Sequence, residues 1–305
     1  MPQGRALCLG VGRVNPALYH GDPFPTLCAE ADAAAMGALA KAQGFDVRLL
    51  TTNGQDAAPN PAWRGVPNYD TFKREMEDAA ETLRAGDTFL LTFSGHGTVV
   101  RESGTGGVDE AWCLTDCVIL DDLLYHLLTQ LEPQVRVWVI SDSCHSGTMV
   151  DHESAARTRS IGPAGRPARA LRQGDAESAA AAVRPILWRA REEAPRRRAT
   201  ARGLVDDAPL EAAVLCVGAC RDGAQTTVVP SAHADAPGHS FTQCAIELWQ
   251  GGAYSKSCWN FCHDLVARWV PQPADRPPPY WVGKGTTFGD QTPAFPKFPP
   301  AELGR

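Results

Sequence analysis

Cys144 and His96 are the two residues of this sequence whose surroundings best suit chemistry. Each follows an apolar run and lies in a short polar segment, Ser94-Gly95-His96-Gly97 or Asp142-Ser143-Cys144-His145-Ser146-Gly147. A thiol becomes an efficient nucleophile when a nearby imidazole favours its thiolate, so we predict that Cys144 is a nucleophile and His96 its catalytic partner. Gly95 and Gly97 let the backbone pass close to a substrate, and the N–H groups of Gly97 and Cys144 would form an oxyanion hole.

Other interpretations of this pair stay open. Cys144 would otherwise be one more buried thiol and His96 a loop residue, as is usual for a lone cysteine and a lone histidine. His145 also competes for the role of base, but a residue adjacent to the nucleophile points elsewhere. The occurrence of both motifs after apolar runs of one chain favours the catalytic interpretation.

Alternating strands and helices are expected to position these residues. The apolar patterns predict strands at 5–11, 45–50, 87–93, 135–141 and 213–218, and helices at 26–42, 68–84, 120–131, 240–250 and 257–270. Strands separated by helices indicate an α/β fold with a mostly parallel central sheet and helices on both faces. Such sheets bind ligands beyond the carboxyl ends of their strands, where His96 and Cys144 both lie.

The chain is expected to form one domain over residues 1–270, followed by a Pro-rich tail over residues 271–305 that runs extended over the surface. Within the domain, residues 153–207 are rich in Ala, Gly, Pro and Arg and have little hydrophobic periodicity. Loops of this length inside a compact domain are usually functional or disordered. We therefore predict a mobile, Arg-rich insertion.

Composition limits the classes of partner. The chain is 44% hydrophobic and 21% charged, as expected of a soluble globular protein. Its formal net charge of −6 argues against a nucleic-acid partner, because that kind of binding needs clustered Lys and Arg. No apolar run is long enough for a membrane-spanning helix, so we expect no membrane partner and a cytoplasmic protein. The ten cysteines are scattered through apolar segments, and most are predicted to be buried free thiols.

The two motifs resemble the catalytic motifs of metacaspases and related bacterial caspase-like peptidases, which form peptidase family C14 of clan CD. The resemblance covers residues 5–250 and includes residues 217–226, which are similar to a segment that follows a later strand of the family. His96 and Cys144 are also separated by about 48 positions in the sequence, close to the separation of roughly 50 between the catalytic His and Cys of caspases. The resemblance implies a caspase-hemoglobinase fold and peptide-bond hydrolysis through a thioester, with no organic cofactor. The QACRG motif of true caspases is absent, so cleavage after Asp is not assumed.

The resemblance also implies a substrate class. Asp142 matches an acidic position in the first specificity pocket of metacaspases, Asp32 resembles a second such position, and Ser94 completes the pocket. Carboxylates select Arg or Lys by charge-assisted hydrogen bonds, so the expected substrates are polypeptides with basic residues. The sequence before Asp32 departs from the Gly-Cys and Asn-Asp of many metacaspases. The alternatives are a structural turn acceptor for Asp142 and a solvated helix carboxylate for Asp32.

A second acidic set is a candidate calcium site. Its members are Asp109, Asp121, Asp122 and Asp151. Calcium takes several oxygen ligands, and calcium-dependent metacaspases carry aspartates at similar places in their sequences. The alternative is that Asp121 and Asp122 are an acidic pair at a helix N-terminus, which the helix dipole favours.

The Arg-rich insertion is expected to be cut by the enzyme itself or by an upstream activating protease. Mobile loops are preferred sites of nicking, and tethering raises the effective concentration of a site. The preferred cleavage sites are Arg196, Arg197, Arg198 and Arg202, because Pro195 favours the extended backbone that a protease cleft accepts. The alternative is that these arginines solubilise a linker or bind an acidic partner.

Two other functions stay open. One is a clan CD peptidase of the separase or gingipain type, with a different specificity pocket. The other is a catalytically silent caspase-like scaffold that binds protein partners. The presence of both Cys144 and His96 favours an enzyme.

Overall fold

The computed structural model describes residues 1–17, 19, 26, 28–53, 60–101, 108–143, 209–220, 240–270 and 276–299, except for the side chains of residues 99–101, 108 and 109. The strands in this part of the chain are β1 (Gly4–Gly10), β2 (Asp46–Thr51), β3 (Trp63–Gly65), β4 (Thr88–Ser94), β5 (Gly97–Arg101), β6 (Val108–Cys113), β7 (Val118–Leu120), β8 (Arg136–Asp142), β9 (Ala213–Gly218) and β10 (Tyr280–Val282). The α-helices are α1 (Ala29–Ala42), α2 (Tyr69–Thr82), α3 (Asp121–Leu128), α4 (Phe241–Trp249) and α5 (Cys258–Trp269), and a 3-10 turn at Gln250–Gly252 follows α4.

Seven of these strands form the central sheet, in the order β10-β9-β8-β4-β1-β2-β3. Every neighbouring pair is parallel except the edge pair, in which β10 runs antiparallel to β9. Strands β5, β6 and β7 form a separate antiparallel sheet of three strands. The predicted fold class, a mostly parallel central sheet between helices, is confirmed.

Apolar side chains fill the space on both faces of the central sheet. Because side chains alternate along a strand, Leu7 and Leu9 of β1 pack with the residues of α2 and α3, whereas Ala6 and Cys8 pack with α1, α4 and α5. Burial on both faces explains why the strands are almost continuously apolar. No helix within the described ranges is long and apolar enough to cross a membrane.

The strands and helices predicted from the sequence are all present, and their ends differ from the prediction by at most three residues. Differences of three residues occur at the end of α3, which ends at Leu128, and at the start of α1, which begins at Ala29 and not at Thr26. The backbone N–H of Thr26 donates to the carbonyl oxygen of Gly12, at 2.7 Å, and so lies in the connection from β1. The small sheet of β5–β7 and the short strands β3 and β10 were not predicted. Strands β3, β7 and β10 have three residues each, which is too few to show a period.

The expectation that the Pro-rich tail runs over the surface is wrong for strand β10 and for four buried residues, Phe288, Ala294, Phe295 and Phe298. Strand β10 pairs with β9, and Phe295 is fully buried against the ring of Trp138, with a centroid distance of 4.5 Å. Phe298 is also buried, with its ring centroid 4.9 Å from that of Phe45. The prolines exclude regular helix, but the aromatic residues between them bury enough apolar surface to hold an irregular segment in place.

We predict that Phe295→Ala lowers the free energy of unfolding by about 3 to 5 kcal/mol, the usual cost of removing a buried aromatic side chain. The side chain contacts the rings of Trp138, Trp249 and Phe261, so its loss leaves a cavity between the sheet and two helices. Urea denaturation measures the change. Lys297→Ala is the control, because Lys297 is exposed in the same segment and should change the stability by less than about 0.5 kcal/mol. Equal effects of the two substitutions would contradict a place for Phe295 in the core.

Candidate active site

The two motifs leave the central sheet side by side. Strands β4 and β8 are parallel neighbours, and their register pairs Ser94 with Asp142, the last residue of each strand. The N–H of Gly95 donates to the carbonyl oxygen of Asp142, at 3.3 Å, just beyond this pair. The sheet therefore brings together the ends of the two strands that precede His96 and Cys144 in the sequence, and these are carboxyl ends, where α/β sheets bind ligands.

His96 is held between the central sheet and the small sheet. Its side chain is buried, and its carbonyl oxygen accepts a hydrogen bond of 2.9 Å from the N–H of Cys113 in β6. The next residue, Gly97, begins β5 and pairs with Trp112 of the same strand β6. The backbone on both sides of the imidazole is thus fixed by pairing, which limits the positions that the side chain can take.

The glycine before His96 is required by close packing. A Cβ atom on Gly95 would lie 2.9 Å from Cζ of Phe93 and 3.2 Å from Cβ of Val11. Both distances are shorter than ordinary van der Waals contacts between carbon atoms. A larger residue here would displace the segment that carries His96.

Asp32 lies at the centre of a buried hydrogen-bond network. Its side chain is fully buried in the first turn of α1. The hydroxyl of Ser94 donates to Oδ2 at 2.9 Å, and the hydroxyl of Ser240 and Nε2 of Gln243 donate to Oδ1 at 2.8 and 3.1 Å. The alternative of a solvated helix carboxylate is therefore wrong, because donors from β4 and from the start of α4 take the place of water.

Asp142 is bound by the same helix end. Its side chain is 1% exposed, and Oδ2 accepts a hydrogen bond of 2.9 Å from the backbone N–H of Thr242. Thr242 lies in the first turn of α4, where free N–H groups and the helix dipole favour a negative charge. The structure thus brings Asp32, Asp142 and Ser94 together around one helix N-terminus.

A further set of buried polar groups supports the segment before Cys144. The indole Nε1 of Trp112 donates to the hydroxyl of Ser141 at 2.9 Å, and this hydroxyl lies 3.1 Å from that of Ser143. The ring of Trp112 stacks on Phe93 of β4, with a centroid distance of 4.6 Å. Trp112 therefore connects the small sheet to both strands that carry the motifs.

Several predicted site residues lie outside the described part of the chain. They are Cys144, Asp151, Arg196, Arg197, Arg198 and Arg202, together with the side chain of Asp109. The predicted insertion at 153–207 also lies outside it. The assignments of the nucleophile, of the cleavage sites and of two calcium ligands stay predictions.

The two described residues of the predicted calcium site begin α3. Asp121 is buried, and one of its carboxylate oxygens accepts a hydrogen bond of 2.8 Å from the N–H of Asp122. Two adjacent aspartates supply part of a calcium site, which takes six to eight oxygen ligands. No group of three or more His, Cys, Asp or Glu suited to a metal occurs among the residues that the structure describes.

The other cysteines are poor candidates for a nucleophile. All nine cysteines in the described ranges are buried, as predicted. Burial raises the pKa of Cys8 to about 12 and holds that of Cys262 well above its ordinary value. A thiol with such a pKa is protonated at neutral pH and cannot act as a thiolate.

Sequence reasoning missed the residues of α4 that bind the carboxylates, and it missed Trp112. Ser240 and Gln243 have the spacing of a capping box, and Ser240 does cap α4 by accepting from the N–H of Gln243 at 3.1 Å. That spacing predicts a helix start and gives no sign of contact with Asp32, which is more than 200 residues away in the sequence.

Comparison with known proteins places this arrangement in a family. The family model described as "Metacaspase, peptidase C14 domain" matches residues 5–153, which include both motifs. A protein of known crystal structure, GSU0716 from Geobacter sulfurreducens, is 31% identical, with a TM-score of 0.70 over 98% of this chain and 100% of that one. The chain belongs to the metacaspase-like C14 peptidases. Its mostly parallel sheet between helices is the caspase-hemoglobinase fold of that family.

Curated metacaspases match a shorter stretch. Metacaspase-4 of Arabidopsis thaliana is 36% identical over 92 residues, which are 28% of this chain and 22% of the plant protein. Metacaspase-3 of Trypanosoma cruzi is 33% identical over 100 residues, which are 30% of this chain and 27% of the trypanosome protein. This metacaspase-like chain therefore spans about a quarter of the length of the curated relatives that it matches.

Proposed function

We propose that this chain is a cysteine endopeptidase that cleaves polypeptides after Arg or Lys. The observation that carries the proposal is the paired exit of the two motifs from β4 and β8, with Ser94 opposite Asp142. Parallel pairing ends the two strands side by side, and in the sequence His96 and Cys144 each lie two residues beyond the pair. Membership of a peptidase family and the match of residues 5–153 support the same activity.

In the proposed reaction, His96 takes the proton of the Cys144 thiol, and the thiolate attacks the carbonyl carbon of the scissile bond. The N–H groups of Gly97 and Cys144 stabilise the oxyanion that forms. The protonated His96 then gives its proton to the leaving amine, and a thioester remains on Cys144. Water, with His96 as base, hydrolyses this thioester and restores the thiol.

The preference for basic residues rests on Asp142 and Asp32, with Ser94 between them. Both carboxylates are buried, and the attraction of a buried carboxylate for a cation exceeds that of an exposed one, because little water screens it. Both also contact the first turn of α4, so they belong to one small region at the end of β8. A cationic side chain that enters this region meets two negative charges.

Calcium activation and self-processing are further parts of the proposal. The register of β6 and β7 pairs Ala111 with Leu120, and the chain then enters α3 at Asp121 and Asp122. Asp109 lies two positions before Ala111 on β6, the strand that pairs with β7 just before α3. Asp151 would be the fourth ligand. Bound calcium would neutralise these carboxylates and hold their loops together. The Arg-rich insertion would then be the nearest substrate of the activated enzyme.

Replacement of either proposed catalytic residue should abolish turnover. We expect Cys144→Ala and His96→Ala each to lower kcat/KM on a fluorogenic Arg peptide by at least roughly a thousandfold, because acyl transfer then lacks its nucleophile or its base. His263→Ala is the matched control, since His263 is exposed on α5. An arginyl chloromethylketone should label Cys144 in the wild type. A catalytically silent scaffold would be neither labelled by this reagent nor able to turn over the peptide. Full activity of either folded variant would exclude the dyad.

Removal of one pocket carboxylate should change the substrate profile. We expect Asp142→Ala to weaken cleavage after Arg and Lys by about 2 to 5 kcal/mol, because a buried cation loses its partner. Cleavage of a peptide library, read by mass spectrometry, measures the profile, with the exposed Asp290→Ala as control. A wild-type preference for Asp or for an apolar residue before the scissile bond would refute the assignment and favour a clan CD peptidase with a different pocket.

Calcium should trigger cleavage of the chain within residues 153–207. We expect new termini after Arg196, Arg197, Arg198 or Arg202 when the wild type is incubated with calcium, because tethering favours a site on the same chain. Mass spectrometry of the intact chain and of its new termini, with and without a strong chelator, measures whether the chain is cut and whether the cut depends on calcium. Cys144→Ala should stay intact. Equal cleavage of this variant, or activity that chelation leaves unchanged, would exclude self-processing or calcium dependence respectively.

A further inference from the structure

Gln243 makes a contact that its place at a helix start does not explain. In a capping box, the Glu or Gln side chain reaches back to the N–H of the capping residue. Here Nε2 of Gln243 instead donates to Oδ1 of Asp32 in α1, at 3.1 Å, while its backbone N–H donates to the hydroxyl of Ser240. The side chain thus ties the start of α4 to a carboxylate of the proposed pocket.

The donors around Asp32 fix the rotation of its carboxylate. Oδ2 accepts from Ser94, whereas Oδ1 accepts from both Ser240 and Gln243. Donors on opposite oxygens, contributed by different strands and helices, hold the plane of the group in one orientation. The hydroxyl of Ser240 also caps α4, and Ser94 is itself a proposed pocket residue, so Gln243 is the donor that can be replaced without disturbing the helix cap or that residue.

Carboxylate orientation affects Arg and Lys differently. A guanidinium group is planar and presents a rigid fork of N–H donors, so its binding depends on the angle at which the acceptor oxygens lie. An ammonium group is compact and its three donors rotate freely, so it tolerates a change in that angle. A pocket with fixed carboxylates therefore favours Arg over Lys, and a pocket with a loosened carboxylate loses this preference.

We infer that Gln243 is a positioning residue that, by holding Asp32, makes the specificity pocket favour Arg over Lys. The inference rests on the proposed function, because it concerns the same pocket. Gln243 acts through Asp32, and its own contact with substrate is not required. Ser240 supports the same oxygen, but it also caps the helix, so its removal would change the stability of α4 as well.

The test is Gln243→Met, which removes the amide donor and keeps the length of the side chain. We expect kcat/KM to fall about tenfold on a peptide with Arg before the scissile bond and no more than about twofold on the matched Lys peptide, the size of effect that one lost hydrogen bond to a charged group gives. The Arg-to-Lys ratio of kcat/KM therefore falls by about fivefold or more.

Gln130→Met is the matched control, because Gln130 is exposed in the turn after α3 and the same chemical change there should leave both rates unaltered. An equal fall on both peptides in Gln243→Met would show a merely structural role, and an unchanged ratio would equally overturn the inference.

A binding measurement separates this inference from the proposed peptidase activity. In the Cys144→Ala background, fluorescence anisotropy of the labelled Arg and Lys peptides measures affinity without turnover. If the wild type cleaves neither peptide, the proposed function fails. The inference would still be supported if Gln243→Met weakened binding of the Arg peptide by about fivefold or more beyond any weakening of the Lys peptide. Equal affinities in the presence and absence of the Gln243 amide, or no binding of either peptide, would overturn it.

Discussion

Burial of two carboxylates, Asp32 and Asp142, is the constraint on which the rest of the site depends. A buried carboxylate without donors would be neutralised or expelled, since it loses the hydration that stabilises its charge. The structure meets this cost with hydroxyls from β4 and from the α4 cap, an amide from α4 and a backbone N–H of the same helix. Helix α1, strands β4 and β8 and helix α4 must therefore keep their relative positions for the carboxylates to keep these donors.

This requirement explains the position of α4. Its N-terminal turn faces the ends of β4 and β8, so its dipole and its free N–H groups are directed at the two acidic side chains. Its apolar residues, including Phe241 and Ala245, pack against the sheet on the side of α1 and α5. A polar helix end and an apolar helix face thus bind to one sheet, and the packing of the face determines where the polar end lies.

The proposed catalytic segments depend on a second set of contacts. Trp112 stacks on Phe93 and donates to Ser141, so the small sheet supports the ends of β4 and β8 from the side opposite to α4. The pairing of Gly97 with Trp112 continues this support past His96. A rigid connection on each side of the motifs is what a nucleophile and its base need, because their rate depends on a geometry held within fractions of an ångström.

The sequence by itself was enough to predict the long strands and helices of the central sheet, and to propose His96 and Cys144 as the catalytic residues. The continuous apolar run at 87–93 and the helical spacing at 68–84 are local patterns, so a single sequence is enough to recognise them. The strand and the helix that they predict are confirmed as β4 and α2. Asp32 could be proposed only by resemblance, and its burial could not be predicted, because its donors Ser94 and Gln243 are distant in the sequence. The inward position of Phe295 likewise follows from contacts with three distant aromatic rings. Only the tertiary structure decided which polar groups replace water around the carboxylates and which aromatic residues complete the core, because both depend on segments that meet in space and not on local pattern.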